Sequence, residues 1–326
     1  MDEHRFRTYP RYIYLHPVSM DIPLMNHHAL VCGASQGIGK ATALELARLG
    51  ARVTLLARDG DKLRAVLNEL DRSRGQQHAM LEVDMSVTDM LRAAMDALLE
   101  KHGPVHILVN NTGGPPPGLA HESAVNAYAS AFRLHLLAYQ TMVLALVPGM
   151  KDAGNGRIIN VISTSVKQPL PNLGVSNTIR GAVAQWSKTL AGELGPFGIT
   201  VNNVLPGATR TERLAAIIKN KSAKTGLSEE EAAAEMAREI PLRRFALPEE
   251  IAAAITFLAG PGGAYINGIN LPVDGGRTGC LSHAPHGSPQ MTPEGNNEEG
   301  RASLPALLLK LQELIAPSSA ARCGHR

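Results

Sequence analysis

The chain has 326 residues, of which 44% are hydrophobic and 19% are charged, and its formal net charge is +3. A chain of this size and composition can bury a full core, which excludes a small protein held together by disulfides or metals. The near balance of charge argues against a large basic face, so we expect no nucleic-acid partner.

The first 26 residues contain no continuous apolar segment of the kind found in a signal sequence. No stretch of the chain reaches the roughly 18 uninterrupted apolar residues of a typical membrane span. The three cysteines are too far apart for a zinc site or for the disulfide framework of a small secreted protein. We therefore expect a cytoplasmic protein with no membrane partner and no metal.

Short apolar runs alternate with helical patterns from His28 onward. Seven of the runs predict strands: Ala29–Cys32, Arg52–Ala57, Ala79–Val83, Val105–Val109, Arg157–Ile162, Thr200–Leu205 and Ile269–Val273. Between the first six, apolar residues recur at three- and four-residue spacing, which is typical of helices. Strands that are apolar almost throughout need cover on both faces. We therefore predict an α/β fold with a single Rossmann-type, doubly wound, parallel seven-stranded sheet and helices on both faces.

The two ends differ in composition from this central part. Residues 1–26 contain three prolines and no sustained periodicity, and we predict an irregular extension there. A segment rich in His, Pro, Gly, Asn and Glu follows Cys280, and the leucine-dense Leu304–Ile315 predicts one short helix. We therefore predict an extension over residues 1–26, one domain over 27–282, and a linker with a short helix over 283–326.

A glycine-rich loop follows the first predicted strand directly and opens the first helix. It has the pattern G-x-x-x-G-x-G, and its candidate phosphate-binding residues are Gly33, Ser35, Gln36, Gly37, Ile38 and Gly39. Glycines permit a tight turn and let backbone N–H groups and the helix N-terminus approach a pyrophosphate. Between a strand and a helix, this loop predicts a nucleotide-binding site.

The end of the second strand bears on the choice between the two nicotinamide cofactors. An acidic residue there would accept a hydrogen bond from the ribose 2′-hydroxyl of NAD(H), whereas an arginine accommodates the 2′-phosphate of NADP(H). The strand ends in neutral Ala57, followed by Arg58. NADP(H) is therefore favoured over NAD(H). The alternative is that Arg58 is only a solvated charge, and the neighbouring Asp59 keeps that alternative open.

Further motifs follow in order along residues 28–280. They are Asp84 after the third strand, Asn110-Asn111-Thr112-Gly113 after the fourth, Gly156-Arg157-Ile158-Ile159-Asn160 entering the fifth, Pro206-Gly207 with Thr211 after the sixth, and Asp274-Gly275-Gly276 after the seventh. With the glycine loop, this series resembles the short-chain dehydrogenase/reductase superfamily, in the branch of the 3-oxoacyl-acyl carrier protein reductases.

This resemblance implies additional cofactor contacts. They lie at the adenine (Asp84), along the cofactor (Asn110 and Gly113) and beside the nicotinamide (Pro206, Gly207 and Thr211). Two of these sites have simpler interpretations. Asn110 could tie neighbouring strands together, and Pro206-Gly207 could be an ordinary turn.

The resembled family normally uses four catalytic groups. A tyrosine exchanges the substrate proton, a lysine four residues later lowers its pKa and binds the ribose, a serine orients the carbonyl, and an asparagine holds a water relay. The resemblance places these positions at Ser176, Arg180, Ser163 and His135, so only the serine is retained. None of the six tyrosines has a lysine four residues later, which excludes a shifted tyrosine-lysine pair.

The substituted residues differ in what they can do. Arg180 can still donate to ribose hydroxyls, but its guanidinium stays protonated and cannot shuttle protons. Ser176 is a poor general acid without an adjacent base. His135, with an ordinary pKa of about 6.5, suits proton transfer near neutrality, although a lone histidine on a helix is more often structural. Ser163 could orient a carbonyl or imine, or it could cap local backbone.

Three functional hypotheses follow. The first is an NADP(H)-dependent oxidoreductase that transfers hydride to or from a carbonyl, imine or enone in a small molecule, with an atypical proton donor. The second is an ordinary 3-oxoacyl thioester or ketone reductase in which His135 or water donates the proton. The third is a nucleotide-binding regulatory or scaffold protein without catalytic activity.

The remaining segments bear on the substrate pocket and on assembly. Between Thr211 and Pro241 the sequence predicts two helices, the second starting at Ser228 in capping-box form, and in the resembled family this region closes over the substrate. The proline-rich loop over residues 113–118 would form another wall of the pocket or a rigid connection. The apolar helices around residues 138–146 and 182–194 resemble those that pair subunits in the family, so we predict a homodimer or homotetramer.

Overall fold

A seven-stranded sheet lies at the centre of the computed structural model, which describes residues 24–279. The strands are β1 His28–Cys32, β2 Arg52–Ala57, β3 Ala79–Glu82, β4 Ile107–Asn110, β5 Gly156–Val161, β6 Ile199–Pro206 and β7 Asn270–Val273. They pair in the order β3-β2-β1-β4-β5-β6-β7, and each pairing is parallel. The predicted doubly wound sheet is confirmed, and every predicted strand is present with its ends shifted by at most two residues.

Helices cover both faces of this sheet. They are α1 Gly37–Arg48, α2 Gly60–Glu69, α3 Thr88–His102, α4 Val125–Phe132, α5 Ala138–Asp152, α6 Gly174–Leu194, α7 Glu212–Thr225, α8 Glu229–Arg238 and α9 Pro248–Ala259. Helices α3, α5 and α6 supply one core layer, and α1, α2 and α9 supply the other. Burial from both sides explains why strands such as β4, which is buried at every position, are apolar almost throughout.

The strand order reverses between β1 and β4. The chain runs outward from β1 to β3 and then returns to pair β4 with the other side of β1. Loops at the carboxyl ends of these two strands therefore diverge and leave a crevice, which is where open α/β sheets bind ligands. The glycine loop follows β1 and the segment Asn111–Thr112 follows β4, so both lie at this crevice.

The helix after β4 contains a π turn. Helix α4 continues through the π-helical residues Arg133–Leu137 directly into α5. Single π turns inside α-helices occur frequently at functional sites, because the extra residue changes the direction of nearby side chains. The whole stretch Val125–Asp152 is long and apolar enough to cross a membrane, but half of its most apolar window is buried inside the fold, as in a core helix.

A ladder of four asparagines crosses the sheet from β4 to β7. Asn110, Asn160, Asn203 and Asn270 are register partners on adjacent strands. Each side-chain amide donates to the carbonyl oxygen of the next, at 2.7, 3.0 and 2.8 Å in that order. Asn160 also donates to Ser187 on α6 at 2.8 Å. The ladder therefore joins four strands and one covering helix through side chains.

The region after β6 folds as predicted. Helices α7 and α8 occupy it, and α8 begins with a capping box in which Ser228 and Glu231 exchange side-chain and backbone hydrogen bonds. The predicted irregular extension lies almost entirely outside the described residues. The linker after Cys280 and the helix over Leu304–Ile315 lie fully outside them, and these remain predictions.

A group of histidines lies at the amino-terminal edge of the sheet, opposite the crevice. His28 opens β1, is 1% exposed, and its Nε2 lies 2.8 Å from the Thr54 hydroxyl on β2. Its backbone N–H donates to Nδ1 of His106 at 3.1 Å. Burial, and next the charge of Arg52, lowers the pKa of His28 to about 3. His28 is therefore a neutral core residue at physiological pH.

Candidate active site

The glycine loop has a backbone that only glycine accommodates easily. Gly33 and Gly37 have φ angles of +58° and +56°, in the left-handed region. A Cβ on Gly39 would collide with the carbonyl oxygen of Gly33, so the turn closes on itself. From the other side of the crevice, the Asn111 amide donates to the carbonyls of Cys32 and Gly33 at 3.2 and 3.3 Å. The loop is therefore held by β4 as well as by its own turn.

This loop fits the phosphates of a dinucleotide. The N-cap residue of α1, Gln36, makes no side-chain capping bond, so the N–H groups of the first turn are left for another acceptor. A Cβ on Gly37 would lie 3.1 Å from Cγ2 of Thr211, so the loop between β6 and α7 lies against the glycine loop. A pyrophosphate requires N–H groups that are not already bonded and a backbone that it can approach closely, and the glycine loop provides both.

Two predicted cofactor residues meet where β2 and β3 end. Arg58 is 78% exposed, and its Nη1 lies 3.9 Å from Oδ2 of Asp84. Oδ1 of Asp84 accepts from the backbone and hydroxyl of Ser86 at 2.8 and 2.7 Å. Asp59 instead caps α2, where its Oδ1 accepts from the backbone N–H of Lys62 at 3.0 Å. Arg58 therefore remains the predicted partner of a 2′-phosphate, and the carboxylate of Asp59 has a structural role.

The other predicted cofactor residues occupy the carboxyl ends of the central strands. Asn110 is fully buried and ties β4 to β5, the simpler of its two interpretations, but its Oδ1 has no partner among residues 24–279. Gly113 is exposed, with open space where a Cβ would stand. Pro206 ends β6, and a Cβ on Gly207 would come within 2.7 Å of Cα of Asp274. Gly207 thus permits a close approach of two chain segments.

Ser163 lies just beyond β5, half-buried. Its Oγ accepts a hydrogen bond from the backbone N–H of Ser165 at 3.1 Å, which is the local capping role expected as the alternative. That contact uses only the oxygen, so the hydroxyl hydrogen can still donate to another group. The cap and a substrate contact are therefore compatible at Ser163.

Ser176 and Arg180 lie one turn apart on α6, and both are buried. Arg180 donates from Nη1 to the carbonyl oxygen of Val161 at 2.9 Å, two residues before Ser163. None of the described side chains hydrogen-bonds to Ser176. Helix α6 thus carries a guanidinium to the end of β5, and Ser176 stands beside it without a base to activate it.

Arg180 lies beside a tyrosine that the motif positions in the sequence did not indicate. Tyr139 on α5 is fully buried, and the Arg180 guanidinium lies near enough to its phenol for the positive charge to lower the pKa of that group. The phenol also lies 3.1 Å from Oγ1 of Thr112, which in turn lies 2.6 Å from Nδ1 of His135. Tyr139, Thr112 and His135 thus form a continuous set of hydrogen bonds at the carboxyl ends of β4 and β5, with the Arg180 guanidinium beside it.

Two directions of hydrogen bonding fit these distances. In one, Nδ1–H of His135 donates to Thr112 and Thr112 donates to Tyr139. In the other, which delivers the phenol proton to Thr112, Tyr139 donates to Thr112 and Thr112 donates to Nδ1 of His135, so that the ring hydrogen is on Nε2. That Nε2 is buried and has no hydrogen-bond partner within the part of the chain that the structure describes.

The pKa of His135 differs from the ordinary value expected from the sequence. Burial, then the charges of Arg180 and Arg213, lowers its pKa to about 2, so the ring is neutral at physiological pH. The ordinary value near 6.5 therefore does not apply, because the ring is fully buried beside two cations. Burial raises the pKa of Tyr139, and the charge of Arg180 and the hydrogen bond shared with Thr112 offset only part of that effect. Tyr139 is a protonated phenol.

Sequence reasoning missed Tyr139 and assigned no role to Thr112. A signal for Tyr139 was present, because it follows His135 by four residues and therefore shares its face of a helix. No lysine follows Tyr139 at four residues, since its cationic neighbour Arg180 lies on another helix. The contact depends on how α5 and α6 pack, which spacing along the chain does not report.

Comparison with known proteins finds relatives of the described domain. Residues 33–278 match the protein family described as enoyl-(acyl carrier protein) reductase. The NADPH-dependent reductase BacG of Bacillus subtilis is 30% identical over 249 residues, which cover 76% of this chain and 96% of that protein. The 3-oxoacyl-(acyl-carrier-protein) reductase FabG of Chlamydia trachomatis is 31% identical over 253 residues, or 78% of this chain and 98% of that protein.

A solved structure has the same fold. The crystal structure of L-sorbose reductase from Gluconobacter frateurii, complexed with NADPH and L-sorbose, is similar with a TM-score of 0.76 and 31% sequence identity. The similarity covers 80% of this chain and 100% of that one. The described domain therefore spans essentially the full length of these relatives.

Proposed function

Because this chain belongs to the short-chain dehydrogenase/reductase superfamily, we propose that it is an NADP(H)-dependent oxidoreductase acting on a carbonyl, imine or enone in a small molecule, with an atypical proton donor. The observation that carries the proposal is the 3.1 Å contact between the hydroxyl groups of Tyr139 and Thr112, beside the Arg180 guanidinium. It provides a phenol at a site where the resemblance places Ser176 in the position of the usual tyrosine.

The cofactor assignment rests on the crevice residues. The glycine loop would hold the pyrophosphate at the N-terminus of α1, and Arg58 would pair with the 2′-phosphate. NADPH supplies the hydride when it is bound. The preference for NADP(H) is supported by neutral Ala57, by the use of Asp59 as a helix cap, and by the NADPH named for BacG and for L-sorbose reductase.

Thr112 is the member of the relay that can reach a substrate, because it is half-buried whereas Tyr139 is fully buried. As negative charge develops on the substrate oxygen or nitrogen, the Thr112 hydroxyl turns away from His135 and donates its proton there. Tyr139 passes its proton to the Thr112 oxygen, and the phenolate that remains is stabilised by the Arg180 guanidinium beside it. After product release, solvent water returns a proton to Tyr139 through Thr112.

The remaining side chains have orienting roles. The free hydroxyl hydrogen of Ser163 would bind the same substrate oxygen and hold it towards the end of β5. Arg180 would keep the phenol in place and donate to the ribose, as the family's lysine does. His135 acts as the resting acceptor for the Thr112 hydrogen, which keeps that hydroxyl oriented between turnovers.

Two other functions compete with this proposal. An ordinary ketone reductase with His135 as the acid is disfavoured, because a ring with a pKa of about 2 carries no acidic proton at neutral pH. A nucleotide-binding protein without catalysis would keep the glycine loop, but it has no use for a buried phenol that shares a hydrogen bond with Thr112 beside an arginine. The relay therefore favours catalysis over binding alone.

Tyr139→Phe tests the proposal. The variant keeps the ring and removes the hydroxyl, and we expect kcat to fall by about 100-fold or more, the usual contribution of a positioned acid. Tyr128→Phe is the matched control, since its hydroxyl bonds only the Ala120 carbonyl, at 3.1 Å. Turnover is followed by loss of NADPH absorbance with diketones, enones, cyclic imines and 3-oxoacyl thioesters, and NADPH binding by fluorescence.

The outcomes separate the alternatives. Unchanged NADPH affinity with kcat lost only in Tyr139→Phe supports the relay. If Tyr139→Phe has the same kcat as Tyr128→Phe, the relay is contradicted and water is the proton donor. Tight NADPH binding by the unaltered protein, with no turnover on any substrate class, would favour the non-catalytic alternative.

A further inference from the structure

Two guanidinium groups lie at the carboxyl ends of the adjacent strands β4 and β5. Arg180 is anchored on the Val161 carbonyl at 2.9 Å, at the end of β5. Arg213, in the first turn of α7, donates to the carbonyls of Gly114 and Pro115 at 2.9 and 3.3 Å, in the loop that follows β4. Gly114 is two residues beyond Thr112, so both cations border the proposed reaction site.

Within the described part of the chain, these cations have no carboxylate partner. Among residues 24–279 no carboxylate oxygen lies within 4 Å of Arg180 or Arg213. The charges of both guanidinium groups lower the pKa of His135, and the charge of Arg213 also lowers the pKa of Arg180, which is consistent with their closeness. A positive pair at the edge of a crevice without a protein acid favours an anion from solution.

The two arginines are not equivalent. Arg180 is 6% exposed and already donates to the Val161 carbonyl beside the phenol of Tyr139, so it lies behind the reacting position. Arg213 is exposed, and the two backbone carbonyls occupy only part of its five N–H donors. Arg213 can therefore present a free donor edge to a ligand, while the carbonyls fix the plane of its guanidinium.

We infer that the substrate carries a carboxylate, which binds the Arg213 guanidinium at the mouth of the crevice, with the positive charge of Arg180 behind it. The reacting carbonyl, imine or enone then extends from the carboxylate towards Thr112 and Ser163. This inference rests on the proposed oxidoreductase function and specifies its substrate class as oxo acids and their imine or unsaturated analogues. A carboxylate suits a guanidinium because the two planar groups can pair through two parallel hydrogen bonds.

Pairs of probes that differ only in charge test the inference. Benzoylformate, acetoacetate and levulinate place the carbonyl at increasing distance from the carboxylate, and each has a neutral methyl ester. Binding to the NADPH-loaded protein is measured by calorimetry, independently of turnover, and KM is measured where turnover occurs. We expect at least one acid to bind about 10- to 100-fold more tightly than its ester.

Variants of Arg213 distinguish a role in binding the substrate carboxylate from a role in anchoring the loop after β4. Arg213→Gln removes the charge but keeps an amide that can donate to the loop carbonyls, and it should weaken binding of that acid by about 10- to 100-fold while leaving the ester unchanged. Arg213→Lys should recover part of the loss. Arg210→Gln is the matched control, because Arg210 is an exposed arginine three residues earlier whose side chain makes no hydrogen bond or ion pair with the described residues.

Three results would overturn the inference. Acids that bind no better than their esters would exclude a carboxylate site. Equal losses for acid and ester in Arg213→Gln would assign Arg213 to anchoring the loop. Weaker NADPH binding in that variant would assign Arg213 to the cofactor. Charge-dependent binding without turnover would instead leave this inference standing and contradict the proposed oxidoreductase function.

Discussion

Acid should destabilise this fold through His28, at the edge of the sheet far from the crevice. In the unfolded chain His28 takes up a proton below its ordinary pKa of 6.5, whereas in the folded chain it stays neutral down to a pKa of about 3. The unfolded state therefore binds more protons between these two values. The contribution of His28 to stability is present in full above pH 6.5 and is lost as the pH falls towards 3.

The size of this effect follows from the two pKa values. Each pH unit below the unfolded pKa costs about 1.4 kcal/mol while the folded pKa is not reached. At pH 5 the free energy of unfolding should therefore have fallen by about 2 kcal/mol from its value at neutral pH through His28 alone. That is a large share of the 5–15 kcal/mol typical of folded domains, so urea unfolding will resolve it.

The measurement compares urea unfolding at pH 7 and pH 5 in the unaltered protein and in His28→Gln. Glutamine does not titrate, and its amide can still meet the Thr54 hydroxyl that bonds Nε2 at 2.8 Å. The pH dependence of the variant should be smaller by about 2 kcal/mol, even if the variant is less stable at pH 7. His121→Gln, at an exposed histidine, controls for the loss of an imidazole. Equal pH dependence in His28→Gln and the unaltered protein would refute the reasoning.

Two predictions concern the crevice and the outer helices. Arg58→Gln should raise the Kd for NADPH by about 10-fold and leave that for NADH nearly unchanged, because only NADPH loses a charge-assisted contact; equal changes for both cofactors would remove Arg58 from the 2′-phosphate site. A homodimer or homotetramer is expected by light scattering at micromolar concentration, since Phe132, Leu137 and Leu144 expose 39%, 42% and 59% of their surface along the helix after β4; a monomer would contradict it.

The fold could be predicted from sequence because its signals are local. Strands buried on both faces must be apolar almost throughout, and the glycine loop needs glycine at the positive φ angles of Gly33 and Gly37. These constraints act on neighbouring residues, so they are visible in the order of residues along the chain. The capping box at Ser228 is local in the same way.

The proton relay could not be predicted in the same way, because it joins three separate segments. Thr112 lies in a loop, Tyr139 on α5 and Arg180 on α6, and only packing brings them together. The displaced pKa of His135 is also a property of burial, which its sequence neighbours do not determine. Comparison of motif positions found the residues that replace the usual groups, but not the tyrosine that lies elsewhere.

The asparagine ladder has an electrical consequence as well as a mechanical one. Its side-chain amides all point the same way, each N–H group towards β7 and each carbonyl towards β4. Aligned dipoles polarise one another, so the line acts as one larger dipole whose negative end is the unpartnered oxygen of Asn110. That oxygen belongs to the strand that leads into Thr112. The sheet thus places a partial negative charge at the base of a cationic crevice, and no proton is needed to maintain it.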